Sequence, residues 1–173
     1  IDETPLAGEA PADYVERLAR AKAQAALGQA MAPWPVLGAD TIVVVDGQLL
    51  GKPRDRADAH RMLRLLSGRT HQVLTGIALV ADDYCRTRVV TTNVSFTTLT
   101  EADIEAYWQT GEPADKAGSY GIQGIGGKFV SRIEGSYFAV VGLPLLETGQ
   151  LISDYYEKRR ASGSGDARPQ GTK

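Results

Sequence analysis

Residues 36–45 form an apolar run, rich in β-branched side chains, that contains a single carboxylate, Asp40. This composition predicts an interior strand, in which a valine would pack better than an aspartate. Burying an unpaired carboxylate costs several kcal/mol, so a charge at this position requires a metal, a cationic partner or a reaction. Asp40 is therefore the first candidate for a functional residue in the chain.

An Asp-Gly dipeptide at residues 46–47 follows this strand and favours the type I′ turn of a two-residue hairpin. We predict that residues 48–52 form the returning strand, so that Thr41 pairs with Lys52. This register brings the Lys52 side chain close to Asp40. Because a β-bulge could change the face that Lys52 occupies, the prediction is limited to proximity.

Pro11 to Leu27 is predicted to be a helix, because it begins with proline, is followed by glycine and is rich in alanine. Helical spacing places Lys22 on the same face as the core-facing Val15. Its aliphatic stem could lie on the core while the ammonium extends to solvent, or the charge could serve a site. The predicted inward face comprises Val15, Leu18, Ala19, Lys22, Ala25 and Ala26.

Hairpins alternate with helices along the remaining chain, which predicts an α/β fold with a mixed central sheet and flanking helices. Residues 1–160 are predicted to form a single domain, followed by a disordered, Gly- and Ser-rich tail at residues 161–173. The further predicted helices are about residues 56–66, 101–109 and 144–159. The further predicted strands are about residues 72–80, 86–97, 128–133 and 137–141, the last two joined as a hairpin.

Residues 117–127 are rich in glycine, which allows backbone N–H groups to approach a phosphate or a nucleobase closely. A predicted strand rather than a helix follows, so the segment is not a dinucleotide-binding fingerprint. A purely structural turn is the alternative. Gln123 favours a ligand role, because its amide, flanked by Gly121 and Gly124, can both donate to and accept from a base edge.

The composition limits the classes of function. The chain has 173 residues, with 19 basic and 21 acidic side chains and a net charge of -2, which argues against a nucleic-acid binder. Its single cysteine, Cys85, excludes an internal disulfide and fits a reducing compartment. No apolar stretch approaches the roughly 20 residues that span a bilayer, and the first residues do not resemble a secretory leader. We therefore expect a cytoplasmic protein without a membrane partner.

Asp40, the two lysines and the glycine-rich segment suit one type of chemistry. Carboxylates that hold a divalent cation, together with lysines that neutralise phosphates, are usual parts of phosphoanhydride cleavage. Glu3 could contribute a second carboxylate, although taken alone it belongs to a solvated terminus. The residues thus predict a nucleotide or phosphate enzyme.

Six short segments carry a more specific resemblance, and they occur in order over about residues 3–150. The sequence resembles the Maf family of nucleoside triphosphate pyrophosphatases, whose fold is similar to that of inosine triphosphatase. The resemblance implies hydrolysis of a nucleoside triphosphate to the monophosphate and pyrophosphate with a divalent cation, Mg²⁺ or Mn²⁺. The segments are Arg20-Ala21-Lys22-Ala23, Gly38-Ala39-Asp40-Thr41, Gly51-Lys52-Pro53, Leu65 to His71, Asp115 to Gly124, and Ser136 to Pro144.

The resemblance also implies a role for each candidate residue. The position of Asp40 is that of the catalytic acid/base, and those of Glu3, Lys22 and Lys52 belong to the metal and phosphate site. Thr41 and Gln123 stand where the subgroups differ, and this combination resembles the dTTP/UTP subgroup. A homodimer is implied by the family alone.

Members of the family begin with a strand and a Ser-x-Ser-Pro-Arg-Arg loop that binds the phosphates, and neither occurs in this sequence. Without two arginines and their charge-assisted hydrogen bonds, we expect weak binding of a triphosphate. The alternative function is a nucleotide-binding regulator of cell division or septum formation without significant turnover. A single-stranded nucleic-acid binder is disfavoured, because the sequence lacks an array of stacking aromatic residues.

Overall fold

A five-stranded sheet forms the centre of the protein in the computed structural model, which describes residues 1–30 and 33–163. The strands, in the spatial order β2-β1-β3-β4-β5, are β1 (Val36–Val45), β2 (Gln48–Leu50), β3 (Thr70–Ala81), β4 (Tyr84–Phe96) and β5 (Val130–Glu134). The predicted α/β class with flanking helices is confirmed. The sheet was predicted as mixed, but each pairing in the described chain is antiparallel. Tight turns account for two of these pairs, β1-β2 and β3-β4.

In the described part of the chain, five α-helices surround the sheet: α1 (Pro11–Leu27), α2 (Arg56–Leu66), α3 (Glu101–Gln109), α4 (Tyr137–Val141) and α5 (Leu145–Gly163). The predicted bounds of α1, α2 and α3 are confirmed. The first residues of α2 and α3 could be predicted because side chains cap them. Asp55 caps α2, and Thr100 forms a capping box with Asp103 in α3. Helix α5 continues three residues into the predicted tail, and residues 164–173 lie outside the described chain.

The predicted strand at residues 137–141 is wrong, because these residues form the short helix α4. Ser136 caps this helix, its hydroxyl accepting a hydrogen bond from the Ala139 N–H at 3.1 Å. Gly135 and Gly142 flank it with φ of 133° and 123°, which reverses the chain at both ends. A short apolar run has no periodicity that separates strand from helix, so capping and glycine decided the outcome.

Helix α1 lies unusually close to the sheet, because glycine occupies the contact positions on two strands. A Cβ atom at Gly76 would lie 2.5 Å from the Val15 carbonyl oxygen, and one at Gly38 would lie 2.7 Å from the Ala23 nitrogen. Any side chain at these positions would push the helix outward. The close approach sets the distance between α1 and the strand that carries Asp40.

The inward face of α1 differs from its predicted composition at one end. Val15, Leu18 and Ala19 are buried as predicted, but Ala25 and Ala26 are exposed and Ala23 is buried instead. The helix passes over Gly38 at Ala23, and Leu27 rather than Ala25 or Ala26 continues the contact with the sheet.

Side chains of β1 alternate between two faces of the sheet. Ile42 and Val44 pack with α1, whereas Val43 and Val45 pack on the other face. The core on this second face is formed by α2, α3 and the segment after them, with Leu63, Leu66, Val73, Val94, Phe96, Ile104, Tyr107, Tyr120 and Phe129. Asp40 therefore projects toward α1, and its neighbour Thr41 projects to the opposite side.

Strand β2 is too short to cover the whole of β1. Its register pairs Val43 with Leu50 and Val45 with Gln48, as predicted, but the ladder ends there. The predicted pairing of Thr41 with Lys52 is not formed, because the chain leaves the sheet after Leu50. Within the described residues, Val36–Ile42 thus has β3 on one side and no strand on the other, which leaves an open edge.

Among the described residues no helix has the length and apolarity needed to cross a membrane.

Candidate functional site

A cleft of about 820 Å³ lies at the open edge of β1, and its size is that of a small-molecule site. It extends around both faces of the strand, because β2 does not cover this part of the edge. The structure brings together all the predicted site residues in its lining: Glu3, Lys22, Asp40, Thr41, Lys52, Gly121, Gln123 and Gly124.

Lys22 connects two carboxylates on the α1 side of the cleft. Its Nζ lies 2.6 Å from Asp40 Oδ1 and 3.0 Å from Glu3 Oε1. The Asp40 side chain is only 11% exposed, whereas that of Glu3 is 53% exposed. The ammonium of Lys22 is therefore directed into the cleft, and the alternative of an ammonium extended to solvent does not hold.

Glu3 is held in the cleft by contacts of the N-terminal segment with α1. The Tyr14 hydroxyl donates a hydrogen bond to the Glu3 carbonyl oxygen at 2.8 Å. Arg17 donates to the Thr4 carbonyl oxygen at 3.1 Å and pairs with Glu9 at 2.6 Å. Glu3 read alone suggested a solvated terminus, and these loop contacts have no sequence pattern that would have revealed them.

The two carboxylates on Lys22 differ in basicity. Burial raises the pKa of Asp40 above its ordinary value, although the hydrogen bond from Lys22 opposes that effect. The hydrogen bond from Lys22 lowers the pKa of Glu3, which is more exposed. Burial lowers the pKa of Lys22, but its hydrogen bonds to both carboxylates outweigh burial and raise it. Asp40 is thus the stronger base of the pair.

Lys52 lies beyond the end of β2 and is exposed at the cleft. The positive charge of Lys52 contributes to the lowered pKa of Glu3 and partly opposes the effect of burial on the pKa of Asp40. The predicted proximity of Lys52 to Asp40 is therefore present, although the predicted strand pairing is not. Among the described residues it makes no ion pair, so its ammonium is accessible to a ligand.

Thr41 lies on the opposite side of the open edge and belongs to a chain of hydroxyl groups. Its Oγ1 is 2.8 Å from Thr75 Oγ1, and the Thr75 hydroxyl donates to the Ala139 carbonyl oxygen at 2.7 Å. Val140 and Gly142 line the same part of the cleft, which places α4 beside Thr41. Because residues 137–141 were predicted as a strand, sequence reasoning missed this wall of the site.

Three short 3-10 turns shape the glycine-rich segment: Glu112–Asp115, Ala117–Ser119 and Ile125–Phe129. The Gly121 N–H donates to the Tyr107 hydroxyl at 3.0 Å, and the Ile125 N–H donates to Glu112 Oε2 at 2.8 Å. These two side chains hold the segment against the cleft, where Gln123 is exposed.

Glu112 is a residue that sequence reasoning missed. A Cβ atom at Gly124 would lie 2.6 Å from the Glu112 carboxyl carbon, so glycine is required for the carboxylate to reach the Ile125 N–H. The sequence offers no signal for this contact, because Glu112 stands in an ordinary turn before Pro113.

The charged residues of the cleft comprise more carboxylates than lysines. The described carboxylates in its lining are Glu3, Asp40, Glu112 and Asp115, and the described lysines are Lys22, Lys52 and Lys116. Lys116 is also paired with Asp115 at 2.9 Å. A polyanion entering this cleft therefore needs further positive charge.

Glu3 and Asp40, which both lie within 3.0 Å of Lys22 Nζ, are the two carboxylates that could hold a metal ion together. Within the described residues there is no cluster of three or more His, Cys, Asp or Glu side chains arranged for a metal. A set of two carboxylates fits Mg²⁺, which is typically bound through one or two carboxylates together with water and substrate phosphates. The donor set is therefore suited to a cation that arrives with its anionic ligand.

Comparison with known proteins identifies the family of the chain. The family described as Maf-like protein matches residues 1–155. A Vibrio cholerae protein named dTTP/UTP pyrophosphatase is 59% identical over 155 residues, which is 90% of this chain and 83% of that protein. Proteins of the same name from Pseudoalteromonas translucida and Photobacterium profundum are 57% and 53% identical, each with 82% of its length covered, over 89% and 90% of this chain. The chain belongs to the Maf family.

Proposed function

We propose that the protein hydrolyses dTTP and UTP to the nucleoside monophosphate and pyrophosphate. The observation that carries this proposal is Asp40, a buried carboxylate held by Lys22 at the open edge of β1. The cleft lining combines lysines and carboxylates with hydroxyl and amide groups, as a triphosphate joined to a base requires. Relatives that are 53–59% identical bear the name dTTP/UTP pyrophosphatase.

In the proposed mechanism Asp40 acts as general base. Its raised pKa makes it a better proton acceptor, while Lys22 holds Oδ1 and fixes the orientation of the carboxylate. Asp40 removes a proton from water, the water oxygen attacks the α-phosphorus, and the bond to the oxygen bridging the α- and β-phosphorus breaks. The electron pair leaves on pyrophosphate. Lys22 and Lys52 stabilise the negative charge on the phosphates.

We further propose that Mg²⁺ or Mn²⁺ is the cofactor, held by Glu3 and Asp40. The net negative lining of the cleft supports this, because an isolated triphosphate would be repelled. When bound, the cation supplies charge neutralisation at the phosphates. Glu3 suits this role, since its lowered pKa keeps it ionised at neutral pH.

The base is proposed to lie on the Thr41 side of the cleft. Gln123 at this side can both donate and accept hydrogen bonds, and the backbone at Gly121 and Gly124 is accessible. The apolar walls formed by Val73 and Val140 suit the face of a pyrimidine ring.

Product analysis tests the proposal. Full-length protein is mixed with dTTP, UTP, CTP or GTP and Mg²⁺ or Mn²⁺, and pyrophosphate and phosphate are measured separately. We expect stoichiometric pyrophosphate from dTTP and UTP, loss of turnover by about a thousandfold or more in Asp40→Asn, and unchanged turnover in the surface control Asp83→Asn. Release of single phosphates, or normal turnover in Asp40→Asn, would refute it. Tight nucleotide binding without hydrolysis would instead favour the regulator of cell division.

A cytoplasmic homodimer is proposed as the working form, without a nucleic-acid partner. Apolar side chains exposed on α4 and α5 support an interface between copies, namely Tyr137, Phe138, Val141, Leu145 and Leu146. The single cysteine fits a reducing compartment. Light scattering during gel filtration distinguishes a dimer from a monomer.

A further inference from the structure

We propose that Thr75 is a positioning residue that fixes Thr41 Oγ1 as a hydrogen-bond acceptor toward the base. This inference rests on the proposed function. It predicts that the site selects bases with a ring N–H, as in uracil and thymine, over cytosine. Neither the role of Thr75 nor the direction of the hydrogen bond follows from the identity of Thr41 alone.

The direction follows from counting protons in the hydroxyl chain. A hydroxyl group has one proton to donate, and the Ala139 carbonyl oxygen can only accept. The Thr75 hydroxyl therefore donates its proton to the Ala139 carbonyl oxygen, at 2.7 Å. The 2.8 Å contact between Thr75 Oγ1 and Thr41 Oγ1 must then use the proton of Thr41. The Thr41 hydroxyl oxygen can therefore only accept a hydrogen bond from a ligand, through a lone pair.

Burial keeps this direction fixed. Thr75 is fully buried, so water cannot replace either of its partners. Ala139 is also buried and is held in α4 by the cap of Ser136. Reversing the chain would leave the Ala139 oxygen facing the Thr75 oxygen without a proton between them, which is costly in a buried position.

Thr41 borders the part of the cleft that Val140 and Gly142 also line. Thr41 is half-buried, and a Cβ atom at Gly142, the residue that follows α4, would lie 3.8 Å from Thr41 Oγ1. The absence of a side chain at Gly142 leaves space for a flat ring beside the hydroxyl. A base in this space meets an acceptor at Thr41 and the bifunctional amide of Gln123.

Uracil and thymine carry an N–H between two carbonyl groups, whereas cytosine carries an unprotonated nitrogen at that ring position. An acceptor opposite the ring nitrogen therefore pairs with the first two bases and is repelled by the third. A site built to hydrogen-bond one group discriminates strongly against an analogue that leaves it unpaired.

Removing the Thr75 hydroxyl tests the inference. In Thr75→Val the Thr41 proton is released and the hydroxyl can donate, so the ratio of kcat/KM for UTP to that for CTP should fall by about tenfold. Thr75→Ser retains the hydroxyl and should keep the wild-type ratio. An unchanged ratio in Thr75→Val, with a circular-dichroism spectrum and Tm near those of wild type, would overturn the inference.

A substrate analogue tests the inference without a variant, should Thr75→Val fail to fold. UTP methylated on the ring N3 lacks the N–H, whereas UTP methylated on C5 retains it. We expect wild-type kcat/KM to fall by about tenfold or more for the N3-methyl compound relative to the C5-methyl compound. Equal values would overturn the role of Thr41 as acceptor. If wild-type protein hydrolyses neither UTP nor dTTP, the proposed function itself fails, which is a separate result.

Discussion

Asp40 and Glu3 share one ammonium group, and their different burial makes them different acids. Burial raises the pKa of Asp40 and the Lys22 hydrogen bond lowers that of Glu3, so the proposed base lies beside a carboxylate that is ionised at neutral pH. The position of Asp40 in an apolar strand costs stability, and Lys22 offsets part of that cost. The strand retains this charge because the open edge exposes it to a ligand.

Replacing Lys22 with methionine should move the pH dependence of the reaction. Without the Lys22 cation, burial is opposed less strongly and the pKa of Asp40 rises further. Since the base must be ionised, the acidic limb of kcat/KM should shift to higher pH by about one unit. Lys22→Arg keeps the charge and should leave the limb in place. Superimposable limbs for wild type and Lys22→Met would contradict this assignment of the base.

The site residues that could be predicted from the sequence pattern are those whose position follows from the periodicity of a strand or a helix. Asp40 was identified because it interrupts an apolar strand, and Lys22 because it follows a core residue at helical spacing. Glu3 was placed only by the family resemblance and Glu112 not at all, because their positions depend on contacts of loops: the Tyr14 hydroxyl for the first and the Ile125 N–H for the second.

At the scale of elements, glycine sets the position of α1 on the sheet. Gly38 and Gly76 allow the helix backbone to approach β1 and β3, and this approach places Lys22 within 2.6 Å of Asp40. Helices α2 and α3 were predictable from their side-chain caps, and α1 from its initial proline, its alanine content and the glycine that follows it. Helix α4 was not, since the same apolar residues suit a strand and only the flanking glycines and Ser136 decide between them.

Gly38→Ala should therefore damage both stability and activity. The new Cβ would meet the backbone of α1, which has to move, and the free energy of unfolding should fall by about 1–3 kcal/mol. The control is Gly149→Ala on the exposed face of α5, where no atom lies within 4 Å; it should be neutral or stabilising by up to about 1 kcal/mol. Urea unfolding measures both. Equal effects at the two positions would show that close approach is not the constraint.

The glycine-rich segment gives a second prediction at this scale. Glu112→Ala releases the Ile125 N–H, so the segment loses a restraint and KM for UTP should rise by about tenfold with a smaller change in kcat. Glu101→Ala removes a surface pair with Arg64 and serves as the control. Steady-state kinetics with matched KM values for wild type and Glu112→Ala would contradict this positioning role.

For the whole molecule, the second face of the sheet contains a buried histidine that limits stability in acid. His71 is 2% exposed, contacts the rings of Phe96 and Tyr120, and lies 2.7 Å from the Tyr120 hydroxyl through Nε2. Burial lowers its pKa to about 4 from the ordinary value of 6.5. The folded protein therefore keeps His71 neutral where the unfolded chain takes up a proton.

This difference predicts a loss of stability between about pH 6.5 and pH 4. The contribution is fully present above the unfolded pKa and is lost as the pH falls toward the folded pKa, by about 3 kcal/mol in total. His71→Gln retains a hydrogen-bonding partner for Tyr120 but does not titrate. Urea unfolding from pH 7 to pH 4.5 should give a flatter dependence for this variant, and parallel dependences would exclude His71 as the cause.

The most direct test of the whole account follows the oxygen of the attacking water. Full-length protein hydrolyses UTP with Mg²⁺ in ¹⁸O-labelled water, and both products are analysed by mass spectrometry. Water activated by Asp40 and directed at the α-phosphorus places one labelled oxygen in the nucleoside monophosphate and none in pyrophosphate. Label in pyrophosphate or in free phosphate would contradict the account.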